Sequence, residues 1–197
     1  MADSLAPDAV RPLLVGRFGH IYRYEESCPS TQRLLEPEDP EGAVAVAEEQ
    51  SEGRGRLGRT WHAPAHTSVL VSVLLRPAVD SARLPELSLV AGGAVAEAIA
   101  ETTGLEPAIK FPNDVLLGGK KVAGILAESS DGRVVLGIGV NANQTAEQLP
   151  DDAQTEPTSL RLELGEPVDR AALLAAILLR VERAYDAWIS METSTSG

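Results

Sequence analysis

The chain has 197 residues, a length that suits one domain, and hydrophobic residues make up 44% of it against 23% charged. This is ordinary globular composition and excludes a disordered tail protein. Seventeen Lys+Arg against 29 Asp+Glu leave a formal charge of −12, which argues against a broad grip on nucleic-acid phosphates. No apolar run approaches the roughly 20 residues of a membrane span. The acidic N-terminus does not read as a secretory signal, and Cys28, alone in the chain, excludes an intrachain disulfide and points to a reducing, cytoplasmic setting.

Residues 1–19 lack a clear period and read as an N-terminal arm. Residues 20–24 alternate as a short strand, and Ser30 is positioned to cap a helical turn that runs to Leu35 and stops at Pro37. Residues 43–47 (AVAVA) predict a buried strand, 50–64 a loop rich in glycine and arginine, and 69–75 (VLVSVLL) a second buried strand. A long helix is predicted over 84–102, ended by Gly104. Three β segments follow at 108–111, 115–117 and 122–127, with Gly118-Gly119 as a hairpin turn, and then a strand at 134–140. Residues 144–167 read as a loop with one helical turn, and 169–189 as a second long helix with Leu174, Ile177, Leu178, Val181, Tyr185 and Trp188 on one stripe. Strands lead and helices follow, so the expected fold is α+β, a mixed sheet with helices packed mainly on one face. The expected division is an arm at 1–19, one domain at 20–190 and a frayed tail at 191–197.

Gly53-Arg54-Gly55-Arg56-Leu57-Gly58 matches G-x-G-x-x-G by letter, but residues 59–64 do not open a helix, so there is no N-terminus to hold a pyrophosphate. A P-loop is excluded because neither Lys120 nor Lys121 precedes Ser or Thr. What the loop offers is guanidinium groups, which pair bidentately with anions, on a backbone able to fold over a ligand. Lys121 opens an apolar strand (VAGIL) where it can stabilise a carboxylate and an incoming phosphoryl oxygen together, and Gly124 permits close approach. His62 and His66 are separated by Pro64 and cannot share a helix face, so no metal site is expected there.

Five blocks stand in one order. They are Ser30-Thr31-Gln32, then residues 53–61 (GRGRLGRTW), then Lys110-Phe111-Pro112-Asn113-Asp114, then residues 121–128 (KVAGILAE), then residues 137–143 (GIGVNAN). Together they resemble the biotin–protein ligases, with Phe111 where that family usually has Trp. The resemblance implies a catalytic domain related in fold to class II aminoacyl-tRNA synthetases and lipoate ligases. It also implies ATP and biotin as substrates, with Mg2+ carried by ATP. Biotin's carboxylate would attack the α-phosphate to give biotinyl-5′-AMP, and a lysine of a biotin carboxyl carrier domain would then displace AMP. Carried over by position, Ser30, Thr31, Gln32 and Gln50 line the biotin pocket, and Arg54, Gly55 and Arg56 close over biotin and the adenylate phosphate. Lys121 sits between the two anions, Gly124 and Ile125 flank the biotin chain, Asn141 helps hold adenine, and Asp114 orients the acceptor amine or ribose. The resemblance further suggests a short form without a DNA-binding domain or the small C-terminal β domain of the family. Exposed sheet edges allow a homodimer. A lipoate or octanoate ligase on the same fold, and a truncated biotin-binding paralogue without transfer activity, stand as alternatives.

Overall fold

The computed structural model describes residues 3–55, 58–151 and 153–193. A helical turn α1 (Pro7–Val10) leads into β1 (Tyr22–Cys28), β2 (Val44–Gln50) and β3 (Ser68–Leu75). Helix α2 (Glu86–Thr103) follows, then β4 (Ala108–Lys110), β5 (Asp114–Leu117), β6 (Lys120–Ser130) and β7 (Arg133–Asn141). The chain ends in α3 (Leu160–Leu164) and α4 (Arg170–Thr193). All seven strands form one sheet in the order β1-β2-β3-β7-β6-β5-β4. The β1–β2 pair is parallel and every other neighbouring pair is antiparallel, so the sheet is mixed, as expected. The β5–β6 hairpin turns on Gly118 and Gly119, both at positive φ, a conformation that side chains resist.

The first strand differs from its prediction. It continues past Tyr24 through Glu25, Glu26 and Ser27, whose exposure on the sheet-edge strand β1 hides the β signal in polar residues. At its end Cys28 is buried, and burial, with a smaller contribution from Glu25, pushes its thiol up to about 11.

Register assigns the two faces of the sheet. Val44, Val46, Val71, Val73, Leu136, Ile138 and Val140 fill one face and meet α2 and α4 in the main core. The predicted stripe on α4 is buried there, from Leu174 to Trp188. The Trp188 indole donates to Glu86 on α2 at 2.8 Å, and Arg180 bridges to Glu97 and Glu101 on the same helix. The opposite face carries a smaller cluster of Leu35, Ala43, Ala45 and Leu74 under the turn at 31–34, and beside it the face is open. This is why 69–75 reads as an apolar run broken only by Ser72: β3 is buried along its whole length.

Residues 3–19 lie on the core through Leu5, Val10 and Phe18. Their anchor is a fully buried Arg170 at the start of α4, whose guanidinium meets Glu48 at 2.6 Å, Asp3 at 2.7 Å and the Ser68 carbonyl at 2.9 Å. Glu48 is itself fully buried and accepts the Leu5 amide at 2.8 Å with its other oxygen. Arg17 adds a bidentate pair with Asp186 of α4 at 2.6 and 2.7 Å.

Arg170→Met strands a buried carboxylate and is expected to lower stability by ~3–5 kcal/mol in urea denaturation, with Glu48→Gln restoring part of the loss. A second test concerns Asp39, which a bidentate Arg23 pair, and then the Glu36 amide, hold below the usual carboxylate range. The folded value is the lower one, so this contribution is full above about pH 4 and fades as pH falls through the depressed value. Asp39→Asn should therefore lower stability at neutral pH and leave it unchanged in strong acid, read by urea denaturation across that range.

Candidate active site

On the open face, cross-strand partners place small residues side by side. Gly124 of β6 pairs with Gly139 of β7, which pairs with Leu70 of β3; Leu126 pairs with Gly137, which pairs with Ser72. Antiparallel partners project to one side, so these residues form a shallow floor bounded by taller neighbours. Trp61 lies across the floor. A Cβ built at Gly139 would sit 2.6 Å from its Cε2, and one at Gly124 would sit 2.9 Å from its Cζ3. Only glycine at both positions leaves room for the indole. The Trp61 Nε1 is buried with no hydrogen-bond partner among the described residues.

One end of this cleft is polar and stiff. The Thr31 amide and hydroxyl both donate to the Gln50 side-chain oxygen, at 2.8 and 3.1 Å, and the same hydroxyl meets Ser72 Oγ at 2.8 Å. Gln32 reaches over Gly137 and donates to the Leu126 carbonyl at 3.4 Å.

The other end is Lys121, and a register shift puts it there. In a regular strand Lys121 would face the same side as Ala123 and Ile125, toward the helices. The β5–β6 ladder slips between Val115 and Leu116, so Val115 pairs with Ala123 but Leu116 pairs with Lys121. This bulge turns the lysine onto the face of Gly124, whose Cβ position lies 3.4 Å from Lys121 Nζ. The ammonium pairs with Asp114 at 2.7 Å and stands 5.6 Å over the Trp61 ring. Its backbone is clamped from outside the sheet: Lys121 N donates to Glu156 O at 2.7 Å, and Thr158 N donates to Lys121 O at 2.8 Å.

Of the predicted arginine loop, residues 53–55 pair with residues 59–61 as a ribbon. Trp61 N donates to Gly53 O at 2.8 Å, Arg54 bridges Thr60, and Gly55 N donates to Arg59 O at 2.7 Å. Gly53 is required by proximity, since a Cβ there would meet the Trp61 carbonyl oxygen at 2.5 Å. Arg54 reaches from this ribbon to Glu128 on β6 at 2.8 Å and to the Gln32 side-chain oxygen at 3.2 Å.

Of the residues expected from sequence, Ser30, Thr31, Gln32, Gln50, Arg54, Gly55, Lys121, Gly124 and Ile125 line this one cleft. Ile125 buries its side chain against Gly92 of α2. Asp114 reaches the cleft through Lys121. Asn141 does not line it: its amide donates to the Thr158 carbonyl at 3.0 Å and accepts from Gln144 at 3.1 Å, bracing the segment that clamps Lys121. Arg56 lies outside the described residues. Sequence reasoning missed Ser72, Asn113 and Trp61 as lining residues. The indole was visible within its block, but its placement over two glycines needs the strand register. Among the described residues no cluster of His, Cys, Asp or Glu could hold a metal ion. No helix among them is long and apolar enough to cross a membrane.

A sequence profile of the Biotin/lipoate A/B protein ligase family matches residues 24–144, from β1 through the end of β7. The chain belongs to this family. It is 40% identical over 171 residues to the bifunctional ligase/repressor BirA of Bacillus subtilis, covering 82% of this chain and 53% of that protein. Identity to the biotin–[acetyl-CoA-carboxylase] ligase of Mycobacterium tuberculosis is 41% over 155 residues, covering 76% and 56%. The chain thus spans about half the length of the curated relatives it matches. Among solved structures, the biotin protein ligase of Aquifex aeolicus in complex with biotin and ATP superposes with a TM-score of 0.79 at 34% identity, over 87% of this chain and 72% of that one. The family's fold is the one built here: a mixed sheet with its helices on the face opposite the cleft.

Gly139→Ala is expected to push the Trp61 indole off the floor. Its indole N–H resonance should move while that of Trp188 stays, at a stability cost of ~1–3 kcal/mol.

Proposed function

We propose that the chain ligates biotin to a lysine of a biotin carboxyl carrier domain, through biotinyl-5′-AMP formed from ATP. The observation that carries this reading is the position of Lys121, held by the β6 bulge at one end of a cleft whose other end is polar. Biotin's ureido ring would lie at the Thr31, Gln50 and Ser72 end, where its N–H and C=O groups find partners out of water. Its chain would run over Gly124, which brings the carboxylate to the Lys121 ammonium.

There the ammonium offsets the repulsion between that carboxylate and the α-phosphate. A carboxylate oxygen bonds to the α-phosphorus and the bond to the β-phosphate breaks, releasing pyrophosphate; Mg2+ would arrive with the nucleotide. In the second step the carrier's amine attacks the acyl carbon, AMP leaves with the bridging oxygen, and the amine loses its proton. Asp114 fixes Lys121 and would offer its second oxygen to the acceptor amine or the ribose. Asn141 would serve adenine as well as brace residue 158, and Arg56 would close over the phosphate. Residues 20–190 would form the catalytic unit, working in a reducing cytoplasm.

The inner cleft holds about 60 Å3, well below the roughly 300 Å3 at which small-molecule sites begin. Beside it, lined by Gly53, Arg54, Gly55, Arg59 and Thr60 of the ribbon, opens a cleft of about 610 Å3. Entry of a bicyclic acid therefore requires the ribbon and Trp61 to move outward. Their return would keep water from the mixed anhydride.

The test is biotin-dependent exchange of pyrophosphate into ATP on the purified chain, with lipoate and octanoate as controls. Exchange with biotin alone is the expected result; exchange with lipoate or octanoate instead would replace the assigned acid. Lys121→Ala should lower the exchange rate by about 10²–10³-fold, the loss typical of one removed transition-state donor. Arg56→Gly should retain adenylate less well and biotinylate unrelated lysines.

A further inference from the structure

We propose that Glu128 is a positioning residue for Arg54, holding one corner of its guanidinium so that the opposite edge faces the anionic group of a bound acyl adenylate; this rests on the ligase reading above. The geometry is specific. Arg54 Nη2 alone carries both contacts, to Glu128 Oε2 at 2.8 Å and to Gln32 Oε1 at 3.2 Å. Among the described residues, Glu128 is the one carboxylate paired with Arg54, and Nη1 and Nε have no hydrogen bond. A guanidinium presents its donors in a rigid planar fork, so anchoring one nitrogen sets the direction of the other two.

Glu128 is suited to the task by register. It is the next residue after Gly124 and Leu126 on the cleft face of β6, so its carboxylate rises from the rigid floor and not from the ribbon. Arg54, Gly55 and Leu126 line both the inner cleft and the larger outer one, which makes the arginine part of the wall between them. Both partners are partly exposed, at 44% and 41% of their side-chain surface. A pair so exposed contributes little to folding. What it can do is orient, and it joins Arg54 of the ribbon to the sheet beside the proposed anion site.

Two measurements decide it. The first is independent of ligand: the rate at which phenylglyoxal modifies Arg54, followed by peptide mass spectrometry, with the exposed Arg161 of α3 as internal reference. Glu128→Gln keeps the size of the side chain and removes its charge, and it should raise the Arg54 rate several-fold relative to Arg161. Equal relative rates in wild type and variant overturn the pairing, whether or not the chain binds biotin.

The second is the exchange assay. Glu128→Gln should raise KM for biotin about threefold to fivefold, in keeping with a weak charged contact, and leave kcat nearly unchanged. In an Arg54→Lys background, which lacks the fork, the same change should have no further effect. Additive losses in that cycle, or a fall in kcat with KM unchanged, would overturn the positioning role. A wild-type chain without biotin-dependent exchange would overturn the ligase reading instead, and the modification arm would still decide the contact between Glu128 and Arg54.

Discussion

The structure depends on one strand serving two incompatible surfaces. β7 turns Leu136, Ile138 and Val140 toward the helices, where bulk is needed to fill the core, and Gly137 and Gly139 toward the cleft, where any side chain would collide. Strand alternation makes this division possible and also makes it unforgiving, because a slip of one residue would exchange the faces. β3 and β6 follow the same rule, with Ser72 and Gly124 on the cleft side and Val71, Val73 and Ile125 in the core. The floor of the site is therefore the reverse side of the hydrophobic core and inherits its rigidity.

Three of the described cations around the two clefts have carboxylates already attached. Lys121 has Asp114, Arg54 has Glu128, and Arg33 has Glu52. In a protein of net charge −12 these three cations accordingly do not present bare charge. An incoming anion must share or exchange a partner, so charge alone is a poor ticket of entry and shape has to agree as well. The supports behind these pairs come from distant parts of the chain. Residues 156–158 hold the Lys121 backbone, and Asn141 holds residue 158.

Much of this was legible in the sequence, and the limits are instructive. The small-residue pattern of 137–143, the lysine opening 121–128 and the Ser-Thr-Gln block each carry their local chemistry, and the sheet brings residues from all three to one cleft. The strands at 43–47 and 69–75 were readable because burial on both faces leaves a nearly continuous apolar run. The end of β1 was not, because an edge strand can carry glutamates at no cost. The bulge that turns Lys121 has no sequence mark, since slippage of one hydrogen-bonded pair depends on both strands. Nor can spacing reveal that Arg170 meets Glu48, because their union is made by packing α4 over β2 and β3. Charged residues usually face solvent, so residue type alone does not mark either of them as buried.

Cys28 has a practical consequence. It is the chain's single thiol, it is buried at the end of β1, and at about 11 its ionisation lies far above neutral pH. Thiol reagents act on the thiolate, of which such a group holds on the order of one part in a thousand at pH 8. The folded protein is thus close to a blank background for spectroscopic labelling. A cysteine introduced on the 53–61 ribbon and another on the exposed end of β6 would take up probes ahead of the native thiol. The distance between ribbon and floor could then be followed as a signal in time, without first removing a residue from the core.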